Sequence, residues 1–447
     1  MEERAGSELE RKLGLFPLTN IVIANMVGSG IFTTSGLLME DLGDPLVMLA
    51  LWVVGGIIAL CGALAYGELG IAIPQAGGEY VFLSKLYHPL LGFLSGWTSF
   101  IAGFSAPIAA SAIGFSEYFF RACPQLTLWG DPAIVKQILS VGVILVFTGI
   151  HMRGIEVSAR IQNVLTGLKV SLIVCVIVGG LVLGSGSISH FSQGSAFSFS
   201  FGGCKTLGLS LMWIMFAYSG WNASTYIGSE IRNPTRDLPR SLLLGTGVVM
   251  VLYLCLSIVF VYAVPPEEMK GVISIGGLAM GKLFGPSAET VFSLLISVAL
   301  FSSLSAFIIL GPRVCYSMAK DGLFFKGLAR VHPRFKVPTR SIALQGAVSS
   351  IMVFSGTFDQ ILTFMGFALG IFPLFAVAGV FRLRSSGTTS TMFSGYPWAM
   401  LIYLVTGVAI LVLSFFQRPI ESSIAGLSVL VGVPVYVGFK RMVSVQP

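Results

Sequence analysis

The chain has 447 residues, of which 55% are hydrophobic and 11% are charged, and its formal net charge is +7. An ordinary soluble domain has roughly 25% charged residues, so this composition excludes a soluble enzyme, a coiled coil and a disordered scaffold. The basic residues lie in short segments between apolar runs and form no stripe with interleaved aromatic residues, so we expect no nucleic-acid partner.

Apolar segments of membrane-spanning length recur from one end of the chain to the other. A spanning helix needs about 20 predominantly apolar residues. In chain order, the candidate spans cover residues 18–39, 46–73, 85–119, 134–151, 157–184, 206–231, 240–264, 288–320, 340–356, 360–381, 397–416 and 420–439. We therefore predict an all-α polytopic protein of the cell membrane, in contact with the lipid bilayer through twelve transmembrane helices.

The distribution of lysine and arginine predicts the orientation of these spans. If the N-terminus is cytoplasmic, the inner loops and both tails hold 20 basic residues and the outer loops hold 6, and Lys169 in the fifth span completes the total of 27. Short cytoplasmic loops carry an excess of basic residues. We therefore expect cytoplasmic tails at residues 1–17 and 440–447.

The first and sixth spans each contain a predicted helix break. Gly28, Ser29 and Gly30 lie in the first, and Ser219 and Gly220 lie in the sixth. Glycine weakens a helix by about 1 kcal/mol relative to alanine. A glycine pair alone is also typical of a close-packing helix face, but matched interruptions in two halves of a chain indicate a transporter's substrate site. The amides that follow a break can hold a carboxylate and the carbonyls before it can hold an ammonium, so an α-amino acid fits.

Several motifs in a fixed order carry a family resemblance. They are Gly28-Ser29-Gly30-Ile31-Phe32, Tyr66-Gly67-Glu68-Leu69-Gly70, Ile73-Pro74-Gln75-Ala76-Gly77-Gly78-Glu79-Tyr80, Phe216-Ala217-Tyr218-Ser219-Gly220-Trp221-Asn222, and Glu230 with Asn233-Pro234. Over nearly the whole chain the sequence resembles the amino acid–polyamine–organocation (APC) superfamily, and within it the L-type amino acid transporter (LAT) branch.

The resemblance implies the leucine-transporter fold, in which two inverted five-helix repeats are followed by two further helices. The repeats would cover residues 18–184 and 206–383, and transmembrane helices 11 and 12 would lie within residues 397–439. The resemblance also implies a sodium-independent amino acid transporter, often an exchanger, and not an enzyme.

The same resemblance implies where the substrate binds. Its carboxylate would meet the backbone of Ser29 and Gly30, and Phe216 would be an aromatic gate above it. Its ammonium would meet carbonyls near Met26, Phe216, Ala217 and Ser219, and Asn222 would be a polar contact below. Gly28, Gly30 and Gly220 would be the helix-breaking residues.

The residue at position 219 bears on substrate choice. Members of this branch that accept cationic amino acids can carry an acidic residue at this position, and here it is Ser219. All six aspartates of the chain lie in loops or at the ends of spans. We therefore expect neutral L-amino acids as substrates.

Lys169 lies well inside the fifth span, roughly 15 Å along the helix from its start. A lysine at such depth costs at least about 2.5–3.5 kcal/mol and is functional by default. The resemblance implies that its ammonium replaces sodium between the unwound first helix near Gly28 and Ser302, Ser303 and Ser305 of the eighth span. A permanently charged lysine would suit an exchanger, whereas one that releases its proton would suit a proton-coupled symporter.

Three other functions are weighed against amino acid transport. An amine or polyamine permease of the same superfamily would need carboxylates that face the site, and none is evident. A polytopic membrane enzyme would need a polar catalytic cluster near one interface, which the histidines and aspartates do not form. A sensor would need an added signalling domain, for which the tails are too short.

For the remaining glutamates, cysteines and histidines we expect structural roles. We interpret Glu68, Glu79, Glu117 and Glu230 as members of gate or structural ion pairs, with proton carriage as the alternative. Animal members of the LAT branch use a cysteine in the outer loop of Cys123 to join a single-span glycoprotein, but the neighbouring residues match poorly, so we expect no such partner. No cysteine or histidine spacing suits a metal, and we expect neither a metal nor a cofactor.

Overall fold

The computed structural model describes residues 13–75, 77–153, 155–195, 197–335, 337–387 and 395–444. Most of the predicted N-terminal tail, the last three residues of the C-terminal tail, Ala76 of the second motif region and the side chain of Glu230 lie outside the described residues. Within this part of the chain the structure is helical, and the extended pairing it contains is an isolated bridge between Leu13 and Ile231.

Helices follow one another with short connections. In chain order they are α1 (Leu15–Met26), α2 (Ser29–Leu42), α3 (Pro45–Ala72), α4 (Glu79–Leu86), α5 (Pro89–Thr98), α6 (Ala106–Ala122), α7 (Pro132–His151), α8 (Ile155–Val182), α9 (Phe201–Ala217), α10 (Pro234–Ala263), α11 (Pro266–Met269), α12 (Ile275–Phe284), α13 (Pro286–Lys320), α14 (Thr339–Ser355), α15 (Phe358–Ser385), α16 (Trp398–Gln417) and α17 (Pro419–Ser444). A π-helical stretch, Ser99–Ser105, joins α5 to α6 as one continuous rod, and a 3₁₀ segment, Ala223–Glu230, follows α9.

Local sequence explains several of the helix starts. Proline occupies the first position of α3, α5, α7 and α10, where its missing N–H costs nothing. Asp44 and Asp131 precede two of these prolines, and each carboxylate accepts a hydrogen bond from a free amide of the first turn.

Nine described helices are long and apolar enough to cross a membrane, or ten if the bent pair of α1 and α2 counts as one span. This finding confirms a multi-pass membrane protein. The two other expected spans, the sixth and the ninth, coincide with α9 and α14, which have 17 residues each. The full count of twelve stays a prediction.

The helices pack in two groups. In the first, α3 packs along α10, α10 packs along α1, and α9 contacts α2 and α3. In the second, α6, α7, α13 and α14 contact one another. Helix α8 bridges the groups, because it contacts both α10 and α13. Helices α16 and α17 carry a belt of exposed apolar side chains that suits lipid and not water, among them Val405, Phe416, Ile420 and Leu430.

Candidate substrate site

The first span is broken between Met26 and Ser29. The Val27 amide donates the last hydrogen bond of α1 to the Ile23 carbonyl, Gly28 is extended, and α2 begins at Ser29. The axes of α1 and α2 differ by 41°. The break therefore frees the last carbonyls of α1 and the first amides of α2 from their helical partners.

The second break follows α9. Helix α9 ends at Ala217, the Ser219 amide turns back to the Phe216 carbonyl at 2.8 Å, and helical turns resume only at Ala223. Gly220 has φ = +100°, a conformation that residues with a side chain rarely adopt. This glycine allows the chain to leave the helix at this point.

The two breaks touch each other. A Cβ atom placed on Gly30 would lie 2.6 Å from the Cα atom of Ala217, and one placed on Gly220 would lie 2.9 Å from the carbonyl carbon of Asn25. Such distances leave no room for a side chain. The backbone of one break is therefore packed directly against the backbone of the other.

Tyr253 of α10 binds both breaks. Its hydroxyl lies 2.6 Å from the Met26 carbonyl and 3.1 Å from the Ala217 carbonyl. The side chain is fully buried and its ring packs edge-on against Trp52 of α3. One phenol group thus satisfies main-chain atoms that both breaks leave free. Our reading of the sequence missed this residue.

Lys169 of α8 lies at the end of α1. It is 1% exposed, and its ammonium donates to the Ala24 carbonyl at 3.4 Å. In an unbroken helix that carbonyl would accept from the Gly28 amide, but α1 ends at Met26 and Gly28 is extended. Lys169 and Tyr253 therefore bind two of the carbonyls that the break in α1 exposes, those of Ala24 and Met26.

Two of the three serines expected near Lys169 contact other side chains. The Ser302 hydroxyl lies 3.3 Å from that of Thr166, and the Ser305 hydroxyl lies 3.0 Å from Nε2 of His151 in α7. The Ser303 hydroxyl is the nearest of the three to the break, 3.7 Å from where a Cβ of Gly28 would stand.

The side chains at the breaks are small, apolar or neutral. Met26, Ser29, Phe216 and Ala217 are buried, and the Ser29 hydroxyl lies 3.4 Å from that of Ser111 in α6. Ser111 is a second residue of this region that the sequence did not single out. The predicted substrate-binding residues at positions 26, 29, 30, 216, 217 and 219 all lie at the two breaks.

Asn222 lies beyond the second break and contacts a carboxylate. Its amide nitrogen donates to Oε1 of Glu79 at 2.9 Å. Glu79 begins α4, and it also accepts a hydrogen bond from the Tyr66 hydroxyl at 2.8 Å. Asn222 therefore ties the chain after the second break to α3 and α4.

The acidic residues differ in their partners. Glu68 forms two hydrogen bonds with Arg384, of 2.5 and 2.8 Å, and Glu117 pairs with Lys136 at 2.7 Å. The interpretation as ion pairs is thus confirmed for these two. It is wrong for Glu79, whose partners in the described part of the chain are neutral hydroxyl and amide groups.

Comparison with known proteins agrees with this architecture. The amino acid permease family profile matches residues 13–438. The serine/threonine exchanger SteT of Bacillus subtilis is 28% identical, and the match covers 97% of this chain and 98% of that protein. The Asc-type amino acid transporter 1 of Mus musculus is 26% identical over 96% of this chain and 81% of its own length.

A third relative is named for substrates other than serine and threonine. The cystine/glutamate transporter of Homo sapiens is 27% identical over 96% of this chain and 85% of its own length. These relatives are transporters and not enzymes, and they include members of the branch that the sequence motifs resemble. The chain belongs to the amino acid permease family of the APC superfamily, as a multi-pass membrane protein that transports amino acids.

Proposed function

We propose that the chain is a sodium-independent exchanger of neutral L-amino acids that works by alternating access in a twelve-span leucine-transporter fold, with both termini in the cytoplasm. The observation that carries this proposal is the direct contact between the two helix breaks at Gly30 and Ala217. At that contact, amides at the start of α2 and carbonyls at the ends of α1 and α9, all without their usual helical partners, lie in one region.

This arrangement suits the two charged groups that all α-amino acids share. The start of α2 carries unpaired N–H groups and the positive end of a helix dipole, which favour a carboxylate. The carbonyls near Met26, Phe216 and Ala217 each have a second lone pair free for an ammonium donor. The substrate is thus recognised through main-chain atoms, and Phe216 in the last turn of α9 closes over it.

The neutral character of the break supports neutral substrates. Ser29, Phe216 and Ser219 carry no charge, so nothing in this set would balance an acidic or basic substrate side chain. The nearby Lys169 ammonium donates to the Ala24 carbonyl of α1. The similarity to a serine/threonine exchanger over almost the whole of both chains agrees with small neutral substrates.

Lys169 also supports independence from sodium. Its ammonium lies at a carbonyl that the break in α1 exposes, which is the kind of oxygen a sodium ion would use. A fixed positive charge at that place repels a second cation at close range. Sodium is therefore expected to have no site there while Lys169 is charged.

Transport by purified protein in proteoliposomes tests this function. Labelled serine, alanine and leucine would be offered to vesicles with and without unlabelled internal amino acid, in sodium and in choline medium. We expect uptake only against internal amino acid and at equal rates in both media. Arginine, glutamate and a diamine serve as controls, and preferential uptake of any of them would refute neutral specificity.

A proton-coupled symporter is the second candidate function. It is favoured by the neutral group that Lys169 contacts, the Ala24 carbonyl. The group that its ammonium contacts is a neutral carbonyl and not a carboxylate, so loss of a proton would leave no unpaired negative charge. An inward proton gradient across empty vesicles distinguishes the two functions. Gradient-driven uptake that is lost in Lys169→Gln would establish symport and refute the exchanger.

A further inference from the structure

Glu79 is the centre of a buried polar cluster that joins several elements. It lies in the connection between the spans α3 and α5–α6 and is 8% exposed. Its Oε1 accepts from the Tyr66 hydroxyl of α3 and from the Asn222 amide, and its carboxyl group also receives the Ser95 hydroxyl of α5. One carboxyl group therefore links α3, α4, α5 and the chain that follows the second break.

The residues just before Glu79 and those just after Asn222 also contact each other. The Gly77 amide donates to the Tyr226 carbonyl at 3.2 Å. Gly78 has φ = +52°, and a Cβ there would lie 2.7 Å from the Tyr226 ring. A Cβ atom placed on Gly228 would lie 3.1 Å from the Gln75 carbonyl oxygen. The loop before α4 is thus closed against the 3₁₀ segment that continues from the second break, and we call this contact the Glu79 latch.

The charges that surround the latch do not balance a negative Glu79. The titratable groups that face it from α3, the 3₁₀ segment and α16 are phenols, namely Tyr66, Tyr226 and Tyr403. On α4 itself, Tyr80 donates to Asp321.

The arginines of α15, which packs against α4, have other partners. Arg384 is bound to Glu68 and stacks on the Tyr396 ring, and Arg382 lies over the Tyr87 ring. No cation of the described residues therefore pairs with Glu79. Burial raises the pKa of the Glu79 carboxyl from 4.5 to about 7, although its three hydrogen-bond donors oppose this rise.

We propose that Glu79 is a proton-controlled positioning residue, which in its neutral form holds the chain after the second break against α3 and α5 and on ionisation releases it. A neutral carboxyl group can remain buried among hydroxyl and amide partners, whereas a carboxylate without a cation is stabilised by contact with water. Opening the latch would give it that contact.

Proton linkage determines the direction of the effect. The carboxyl group binds its proton more tightly in the closed latch, where its pKa is about 7, than in water, where it is 4.5. Lowering the pH through 7 therefore favours the closed latch, and raising it favours the open one. Below about pH 4.5 the group is protonated in both states and no further change is expected.

Tryptophan fluorescence tests the latch without any substrate. Trp221 adjoins Asn222, and its ring centroid lies 4.7 Å from that of Tyr66. We expect the fluorescence of the purified full chain to titrate with a midpoint near pH 7, and this component to disappear in Trp221→Phe. Glu79→Gln, which mimics the neutral carboxyl group, should abolish the titration, and Glu267→Gln at an exposed position should leave it unchanged.

Tyr66→Phe separates a proton-controlled role from a purely structural one. A purely structural role of Glu79 would leave the midpoint of the fluorescence titration unchanged in this variant. The Tyr66 hydroxyl stabilises the ionised carboxylate, so its removal should shift the midpoint to higher pH. This variant keeps the test decisive if Glu79→Gln does not fold. A midpoint that is unchanged in both Tyr66→Phe and Glu79→Gln would overturn the proposal.

Transport provides the second readout, and this part rests on the proposed function. Because each cycle must open the latch, exchange should rise about tenfold between pH 6 and pH 8, the range over which a group of pKa about 7 ionises. Glu79→Gln should show the slow rate of the wild type at pH 6 over the whole range. A variant that keeps the wild-type pH profile would contradict the role of Glu79. Fluorescence that titrates as expected without exchange would instead contradict only the proposed function.

Discussion

The hydroxyl of Tyr253 connects two segments that are more than 190 residues apart in the sequence. A buried phenol in a membrane helix is expected to find a polar partner, but its sequence neighbours do not identify that partner. The helix breaks could be predicted from the glycine and serine residues within the first and sixth spans. The sequence could not identify Tyr253, because a single aromatic residue in an apolar helix has no recognisable spacing.

Replacing Tyr253 by phenylalanine should impair transport while the protein still folds. The change leaves the Met26 and Ala217 carbonyls without this partner, at a cost of about 1–3 kcal/mol. We expect exchange to fall about tenfold or more in the proteoliposome assay.

Tyr262→Phe is the matched control on the same helix. That hydroxyl makes one long contact of 3.4 Å to the Gly184 carbonyl, away from the breaks. Equal effects of the two substitutions on exchange would show that the bonds of Tyr253 to the breaks are not important.

The contact between the breaks makes a second prediction at this scale. Gly30→Ala would place a methyl group 2.6 Å from the backbone of Ala217, which cannot move as a side chain would. We expect nearly complete loss of exchange and of substrate-induced thermal stabilisation. Gly247→Ala in α10 is the control, since nothing lies within 4 Å of its Cβ position. Wild-type exchange by Gly30→Ala would refute direct packing of the breaks.

At the scale of elements, the end of α3 is held to the end of α15 by the Glu68–Arg384 ion pair. The Glu68 side chain is fully buried, and the guanidinium also lies 3.8 Å from the centre of the Tyr396 ring. Such a pair contributes less than its contacts suggest, since both charges lose water, but removal of one partner leaves the other uncompensated. The arrangement therefore makes the two helix ends dependent on each other.

Glu68→Gln should lower thermal stability in detergent, because loss of one partner of a buried pair costs about 3–5 kcal/mol. Combining it with Arg384→Gln should cost less than the sum of the single changes, since the double variant has no uncompensated charge. Glu267→Gln, which breaks an exposed pair with Lys270, should cause no measurable shift. Additive losses for Glu68 and Arg384 would contradict a direct ion pair.

Hydropathy predicted most elements and missed those that polar contacts define. Ten of the expected spans correspond to helices, or to the bent pair of α1 and α2, that are long and apolar enough to cross a membrane, and the other two correspond to the shorter helices α9 and α14. The short helices α4 and α12 were not predicted, because segments of 8 and 10 residues between spans have no distinctive period. The role of Glu79 also escaped the sequence, since only the fold shows that it meets Tyr66 and Asn222 and no cation.

At the scale of the whole molecule, the distribution of basic residues predicts which face is cytoplasmic. Cys123 follows α6 in a segment assigned to the outside, and Arg330 lies in the basic segment assigned to the inside. In intact cells, a membrane-impermeant maleimide should label Cys123 and should label an Arg330→Cys variant only after permeabilisation. Cys123→Ser provides the background. The reverse pattern would invert the proposed orientation.

The main-chain composition of the proposed site has an evolutionary consequence. Amide and carbonyl groups at the starts and ends of α1, α2 and α9 are the same for every encoded amino acid except proline, which lacks the amide N–H. A point mutation to any residue but proline can therefore alter the shape of the backbone but cannot delete the main-chain atoms that would hold the zwitterion. The residues that contact the substrate side chain are free to diverge. Homologues can therefore evolve new substrate specificities while they keep the main-chain groups that recognise an amino acid.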